Sequence, residues 1–146
     1  MDDQQRFNLS RYKHWIKDQV RFSDLDPLGH VNNNAIGTYF ENARADLFLE
    51  VTPNWPHRDQ LFVLARTSID FRRELHLPAQ LRIGTGVVSM GRTSMVLVNA
   101  LFRGDDGLAY CESVSVLIDR KTRKPVAIAD DLRVLLRKYA TGETEF

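Results

Sequence analysis

One long amphipathic helix is the feature that most constrains the fold of this chain. Its large apolar residues recur at steps of three and four between positions 34 and 51: Ile36, Tyr39, Phe40, Leu47, Phe48 and Val51. This spacing places them on one face of a helix. An Asn at the start is a favourable N-cap, and Pro53 and Pro56 prevent the helix from continuing. Such a helix must bury its apolar face, so the pattern predicts a second layer of structure that covers it.

The rest of the chain supplies that layer as β-strands. Strands are predicted over residues 14–24, 61–75, 80–90, 94–103 and 108–120, and a short closing helix over 129–140. Two of the breaks, GRT and GDDG, are short and contain glycine, which is typical of hairpins. The predicted fold class is α+β, with an antiparallel sheet of about five strands wrapped around one long helix. The first strand need not pair with its sequence neighbour, because the helix intervenes.

Length and composition limit the possible classes of function. The 146 residues fit one domain, with a core over roughly 13–138 and a loose N-terminal arm over 1–12. The 20 basic and 19 acidic residues nearly cancel, which argues against a general nucleic-acid-binding protein. Cys111 is the single cysteine and the four histidines lack metal-ligand spacing, so we predict no disulfide and no metal site. Without an apolar run of about 20 residues or a secretory signal, the expected compartment is the cytoplasm and no membrane partner is expected.

The stretch FSDLDPLGHVNNNAIGTYFENAR, residues 22–44, places a carboxylate where a strand leads into the helix. Asp26 precedes Pro27 and Gly29, which favour a sharp bend. A helix N-terminus presents unpaired N–H groups and a partial positive charge, and both can stabilise an oxyanion. A carboxylate beside it can act as a nucleophile or as a general base for water. A purely structural interpretation also stands, since Asp-Pro initiates turns and Asn caps helices.

The same stretch resembles the signature of the hotdog-fold acyl-CoA thioesterases of the 4-hydroxybenzoyl-CoA thioesterase type. The matching residues are Asp24, Asp26, Gly29, His30, Val31, Asn32, Asn33, Tyr39, Phe40, Glu41, Ala43 and Arg44. The resemblance implies an enzyme in which Asp26 is the catalytic carboxylate, attacking the thioester or activating water. It also implies that His30, Val31, Asn32 and Asn33 line the site, with Asn33 as a polar contact near the thioester.

The resemblance further implies where the substrate and the partner subunit bind. Coenzyme A would enter as part of the substrate, so no separate cofactor is expected. Its phosphates would meet Arg92, Thr93 and Ser94, and Arg73 is a further candidate. The family pattern implies a homodimer joined edge to edge, or a tetramer of such dimers. An acyl carrier protein stays open as the thiol carrier, because basic patches attract either partner.

Some residues weaken or extend the comparison. Ile36 and Gly37 stand where many members carry a Tyr in the first helical turn, which points to a different acyl pocket. A His beside a helix N-terminus is disfavoured as a cation, so His30 on physical grounds is more an orienting residue than a base. Three aromatic residues are candidates to line the acyl pocket, although core packing is the favoured role of each: Trp15, Trp55 and Phe62.

Two other functions remain as alternatives. The first is a hydratase or dehydratase on the same fold, which needs an Asp–His pair as acid and base; here Pro27 and His30 are one residue further apart than in that motif. The second is a non-catalytic acyl-CoA-binding protein, which would be indifferent to the loss of Asp26.

Overall fold

The structure, a computed structural model, describes residues 1–54 and 58–142. Its five strands are β1 (His14–Gln19), β2 (Gln60–Phe71), β3 (Gln80–Met90), β4 (Ser94–Arg103) and β5 (Asp106–Asp119). Its α-helices are α1 (Asp3–Arg6), α2 (Asn33–Val51) and α3 (Asp130–Arg137). The strands form one antiparallel sheet in the order β1-β3-β4-β5-β2, with α2 packed on its inner face. The predicted α+β class and five-stranded sheet around one long helix are confirmed.

The first strand pairs with β3 and not with β2, its neighbour in sequence, which is the freedom that the intervening helix allows. The register runs from His14 opposite Thr85 to Gln19 opposite Gln80, and β2 lies at the other edge of the sheet. The predicted strand over 14–24 is five residues too long. Phe22–Asp24 form a 3₁₀ turn instead, because the Asp24 carboxylate accepts the Arg21 N–H at 2.9 Å and turns the chain away from the sheet.

Capping and burial define the long helix α2. The side chain of Asn32 accepts the N–H of Asn34 at 2.7 Å, which satisfies one of the unpaired donors at the helix start. Its apolar stripe is buried against the sheet, with Tyr39, Phe40 and Leu47 at most 1% exposed. The helix is continued by a 3₁₀ turn over Thr52–Asn54. The predicted helix over 34–51 is therefore correct to within one residue.

The prediction of a loose arm over residues 1–12 is wrong. These residues form α1 and a second helical turn, Leu9–Arg11, and pack on the outer face of the sheet, opposite α2. The Phe7 ring meets the Phe102 ring edge-on, with centroids 5.9 Å apart. Gly107 makes room for it, since a Cβ there would overlap the Phe7 ring. The arm was predicted to be loose because most of its residues are polar, but a few apolar side chains, among them Phe7 and Leu9, attach it to the sheet.

No helix in residues 1–54 and 58–142 has the length and apolar character needed to cross a membrane.

Candidate active site

Asp26 is fixed in a tight turn immediately before α2. One carboxylate oxygen, Oδ1, accepts the N–H groups of Leu28 at 2.9 Å and His30 at 3.3 Å. The Asp26 N–H donates to the His30 carbonyl at 2.9 Å, and Gly29 allows the bend with φ of 83°. In the described part of the chain, Oδ2 makes no hydrogen bond, so one oxygen holds the turn and the other is left for a ligand.

The start of α2, seven residues after Asp26 in the sequence, offers a backbone donor, the N–H of Asn33. Asn32 is committed to the helix, since its side chain caps Asn34 and its carbonyl accepts from Ala35 and Ile36. The Asn33 N–H has no acceptor among residues 1–54 and 58–142, and its side chain is exposed. A helix N-terminus with an unpaired N–H can polarise a carbonyl or hold an oxyanion.

The other residues predicted beside Asp26 divide into two groups. Val31 is 4% exposed and packs in the apolar core, where its N–H donates to the Leu75 carbonyl at 2.8 Å. The half-buried His30 directs Nδ1 toward Glu74, 3.2 Å from Oε2, and touches Asp26 only through the backbone. The His30 side chain therefore lies at the surface beside the turn, whereas the Val31 side chain anchors the chain after the turn in the core.

A partly buried hydrogen bond that the sequence did not reveal ties this loop to the helix. Tyr39 Oη donates to Asp24 Oδ2 at 2.5 Å, and the Asp24 carbonyl accepts the Asn32 N–H at 2.8 Å. Burial of the ring, and then the bond to Asp24, raise the pKa of Tyr39 above its ordinary value. Both residues belong to the matched motif, but only the fold brings their side chains together. Asp24 is thus a structural partner of the helix.

Replacing Tyr39 by Phe is expected to destabilise the protein by about 1–3 kcal/mol, because the Asp24 carboxylate loses the hydroxyl donor and keeps only the Arg21 N–H among the described donors. Since the folded-state pKa is raised, the Tyr39 contribution is present below the unfolded pKa of about 10 and is lost as the pH rises above it. Urea unfolding between pH 7 and 11 measures both effects.

In that titration Tyr39→Phe should show a shallower alkaline loss of stability than wild type. Tyr139→Phe is the comparison: partial burial and then Glu50 also raise the pKa of Tyr139, so this variant should flatten the alkaline slope too, but by less than Tyr39→Phe. Equal stability and an equal alkaline slope in wild type and Tyr39→Phe would show that the bond contributes nothing.

The structure separates the predicted coenzyme A contacts. Arg73 lies at the same end of the sheet as Asp26, and its guanidinium is ion-paired with Asp106 at 2.8 Å. Arg92, Thr93 and Ser94 lie at the β3–β4 turn, beyond the other end of β3. An 11-residue strand spans about 36 Å, so these three residues are far from Asp26 in the same chain.

Arg92 belongs to a larger exposed basic surface, which we call the basic end. Its members come from three loops at that end of the sheet: Arg58, Arg92, Arg120, Lys121, Arg123 and Lys124. Backbone bonds hold the loops together, from Ile128 to the Arg92 carbonyl and from Arg120 to the Asp59 carbonyl, both at 2.8 Å. None of the six is ion-paired with a carboxylate in the part of the chain that the structure describes. The basic end is therefore suited to a phosphorylated ligand.

An apolar pocket of about 180 Å³ lies between the end of α2 and the start of β2. Phe48 and Phe62, stacked with centroids 5.1 Å apart, form one wall. The rest of the lining is Val51, Leu61 and Leu132, together with the polar residues Thr52, Gln60 and Arg120. Phe48 is 15 residues from Asn33, or about 22 Å along the helix, so the pocket is distant from Asp26 in one chain. Of the other aromatic candidates, Trp15 packs on Phe102 on the outer face, and Trp55 lies outside the described residues.

A helix wrapped by an antiparallel sheet, with a carboxylate held before the helix N-terminus, defines a hotdog-fold protein of the thioesterase type. Residues 20–136 match the Thioesterase-like superfamily. The chain belongs to this superfamily.

Several known proteins are similar to this chain. The PA5185 protein from Pseudomonas aeruginosa is 25% identical with a TM-score of 0.82, over 92% of this chain and 96% of that one. A thioesterase from Thermus thermophilus, complexed with coenzyme A and Zn, is 29% identical with a TM-score of 0.80, over 90% and 96%. The uncharacterised protein YsmA from Bacillus subtilis is 31% identical over 81 residues, 56% of this chain. That match spans 55% of YsmA, about half its length.

Proposed function

We propose that this protein is an acyl-CoA thioesterase that hydrolyses a thioester to a free acid and coenzyme A. The observation that carries the proposal is the fixed carboxylate of Asp26, with Oδ2 unengaged within the described residues, in the turn that leads into the α2 N-terminus. The superfamily match adds the reaction class.

In the proposed reaction, the thioester carbonyl lies over the start of α2, where the Asn33 N–H and the helix dipole stabilise the developing oxyanion. Asp26 either attacks the carbonyl carbon or removes a proton from the attacking water. The C–S bond breaks, the thiolate leaves and takes up a proton, and water supplies the oxygen of the acid. The exposed Asn33 side chain is a polar contact for the substrate.

We also propose that two chains pair through their β2 edges. Within residues 1–54 and 58–142 the outer edge of β2 pairs with no other strand, and Leu64 and Phe71 on β2 are 49% and 46% exposed. A long edge strand with exposed apolar residues is a template for pairing. A two-fold antiparallel pairing sets the Gln60 end of one β2 beside the Phe71 end of the other. The basic end of each chain then lies beside the Asp26 end of its partner.

This arrangement accounts for the separation of the predicted coenzyme A contacts. Arg92, Thr93 and Ser94 would bind phosphates of a substrate whose thioester is at the partner subunit's carboxylate. The relative from Thermus thermophilus was crystallised with coenzyme A, which favours coenzyme A over an acyl carrier protein as the thiol carrier. The pocket beside Phe48 and Phe62 would receive an apolar acyl group.

The hydratase alternative is less well supported. It requires an Asp–His pair, but the His30 ring is directed at Glu74 and reaches Asp26 only through backbone atoms. The direct test is free-thiol release from a panel of short, medium, long and aromatic acyl-CoAs. Saturable release from at least one member is expected. No release from any member, with tight binding of an intact acyl-CoA, would favour the binding-protein alternative.

A composite site predicts complementation between two defective variants. Arg92→Glu combined with Arg120→Glu should raise KM for acyl-CoA by roughly tenfold or more, because the basic end loses its attraction for phosphates. Lys13→Glu with Lys17→Glu, the same charge change on the β1 edge, is the matched control and should leave KM unchanged.

Remixing that basic-end variant with Asp26→Asn is expected to restore about a quarter of wild-type activity at low substrate, since half of the dimers are mixed and each carries one intact site. The measurement is thiol release after unfolding and refolding the mixture. If light scattering demonstrates dimers but the mixture releases thiol no faster than the two variants assayed separately and added together, each site lies within one chain.

A further inference from the structure

Two imidazoles and a carboxylate meet beside the turn that holds Asp26. His30 Nδ1 lies 3.2 Å from Glu74 Oε2, and His76 Nε2 lies 3.4 Å from the same oxygen. All three ligand atoms lie within 4.8 Å of one another. The sequence pattern predicted no metal site, because His30 is 44 positions from Glu74 and only the fold brings the two together.

The backbone, and not only flexible side chains, brings these residues together. The Val31 N–H donates to the Leu75 carbonyl at 2.8 Å, which fixes the chain around His30 against the segment that carries Glu74 and His76. Leu75 is 1% exposed, so its neighbours are anchored to the core while their side chains stay at the surface. The His30 and His76 rings lie with centroids 4.9 Å apart. The cluster is therefore held in place by the fold.

We propose that His30 Nδ1, Glu74 Oε2 and His76 Nε2 form a binding site for a zinc ion. Zinc bonds of about 2.0–2.1 Å in a tetrahedral site separate neighbouring ligand atoms by about 3.3–3.4 Å. Two of the three separations, 3.2 and 3.4 Å, are close to this value, and the third is at most 4.8 Å. Three protein ligands leave a fourth position for water.

The ligand set favours zinc over magnesium or calcium. Imidazole suits zinc and its transition-metal neighbours, whereas the hard cations Mg²⁺ and Ca²⁺ prefer oxygen ligands. A second cluster, His14 with Asp46 and Glu50, has a single imidazole. His14 Nε2 there lies 2.8 Å from Asp46 Oδ2, the distance of a hydrogen bond between the two side chains. That cluster serves as the comparison site.

Zinc at the proposed site would be bound next to the candidate catalytic turn. The backbone of His30 both accepts from and donates to Asp26, so fixing the His30 ring restricts the turn that presents the carboxylate. The proposal does not depend on the proposed thioesterase activity, because its test measures metal binding directly.

The experiment is a calorimetric titration of zinc chloride into untagged, chelator-treated protein, with magnesium chloride as the comparison titrant. Wild type should bind one zinc per chain and no magnesium. Loss of a group that only hydrogen-bonds to a metal ligand lowers metal affinity by roughly tenfold or more. Glu74→Gln and His76→Gln each remove a proposed ligand, so each should lower the affinity for zinc by at least that factor. Glu50→Gln, which alters the comparison site, should bind as wild type does.

Cobalt provides a second measurement, because its visible absorption reports a four-coordinate imidazole site. The intense band should form in wild type and Glu50→Gln, and be lost in His76→Gln. No saturable zinc uptake by wild type would overturn the proposal. So would undiminished binding in both Glu74→Gln and His76→Gln, or a loss confined to Glu50→Gln.

Discussion

Replacement of Asp26 by Asn is expected to lower kcat for acyl-CoA hydrolysis by about 10²- to 10⁴-fold. The amide cannot remove a proton from water and is a poor nucleophile. It keeps an oxygen in the position of Oδ1, however, so the N–H groups of Leu28 and His30 retain their acceptor. The turn should therefore survive, and KM and the thermal midpoint should change little. Initial rates of thiol release over a range of substrate concentrations separate kcat from KM.

The matched control for this substitution is Asp105→Asn. Asp105 is an exposed carboxylate in the β4–β5 hairpin, paired with Arg82 at 3.2 Å, and its replacement makes the same change in charge and size. It should retain wild-type kcat. If Asp26→Asn kept most of the wild-type rate, the proposal that Asp26 performs the chemistry would have to be abandoned.

Replacement of Phe40 by Ala is expected to destabilise the fold by about 3–5 kcal/mol. The ring is 0% exposed and packs where α2 meets the inner face of the sheet, so truncation leaves a cavity. A loss of this size is a large part of the 5–15 kcal/mol that is typical of a whole domain. Urea unfolding at equal protein concentration measures it, since association of the proposed dimer would also contribute to stability.

Phe22→Ala is the control for Phe40→Ala, because it removes the same ring from a side chain that is 82% exposed. Its effect should stay within about 0.5 kcal/mol. Comparable losses in both variants would mean that burial against the sheet is not what makes Phe40 important.

The secondary structure was largely predictable because its causes are local. The spacing of Ile36, Tyr39 and Leu47 along α2 and the capping side chain of Asn32 act within a few residues of chain. The bounds of β3 and β4 were likewise predicted from strand composition and a short glycine-containing break. The turn at Asp26 was expected for the same reason, since Pro27 and Gly29 bend the chain where they stand.

Tertiary structure alone decided which of these elements and side chains meet. The pairing of Tyr39 with Asp24, the attachment of the arm through Phe7, and the meeting of His30 with Glu74 all join separate segments. It also set Arg92 at the opposite end of the sheet from Asp26. The local sequence pattern predicts which face of each segment is buried and where the segment begins and ends. Contacts between distant segments depend on strand order, register and packing, which no single segment contains.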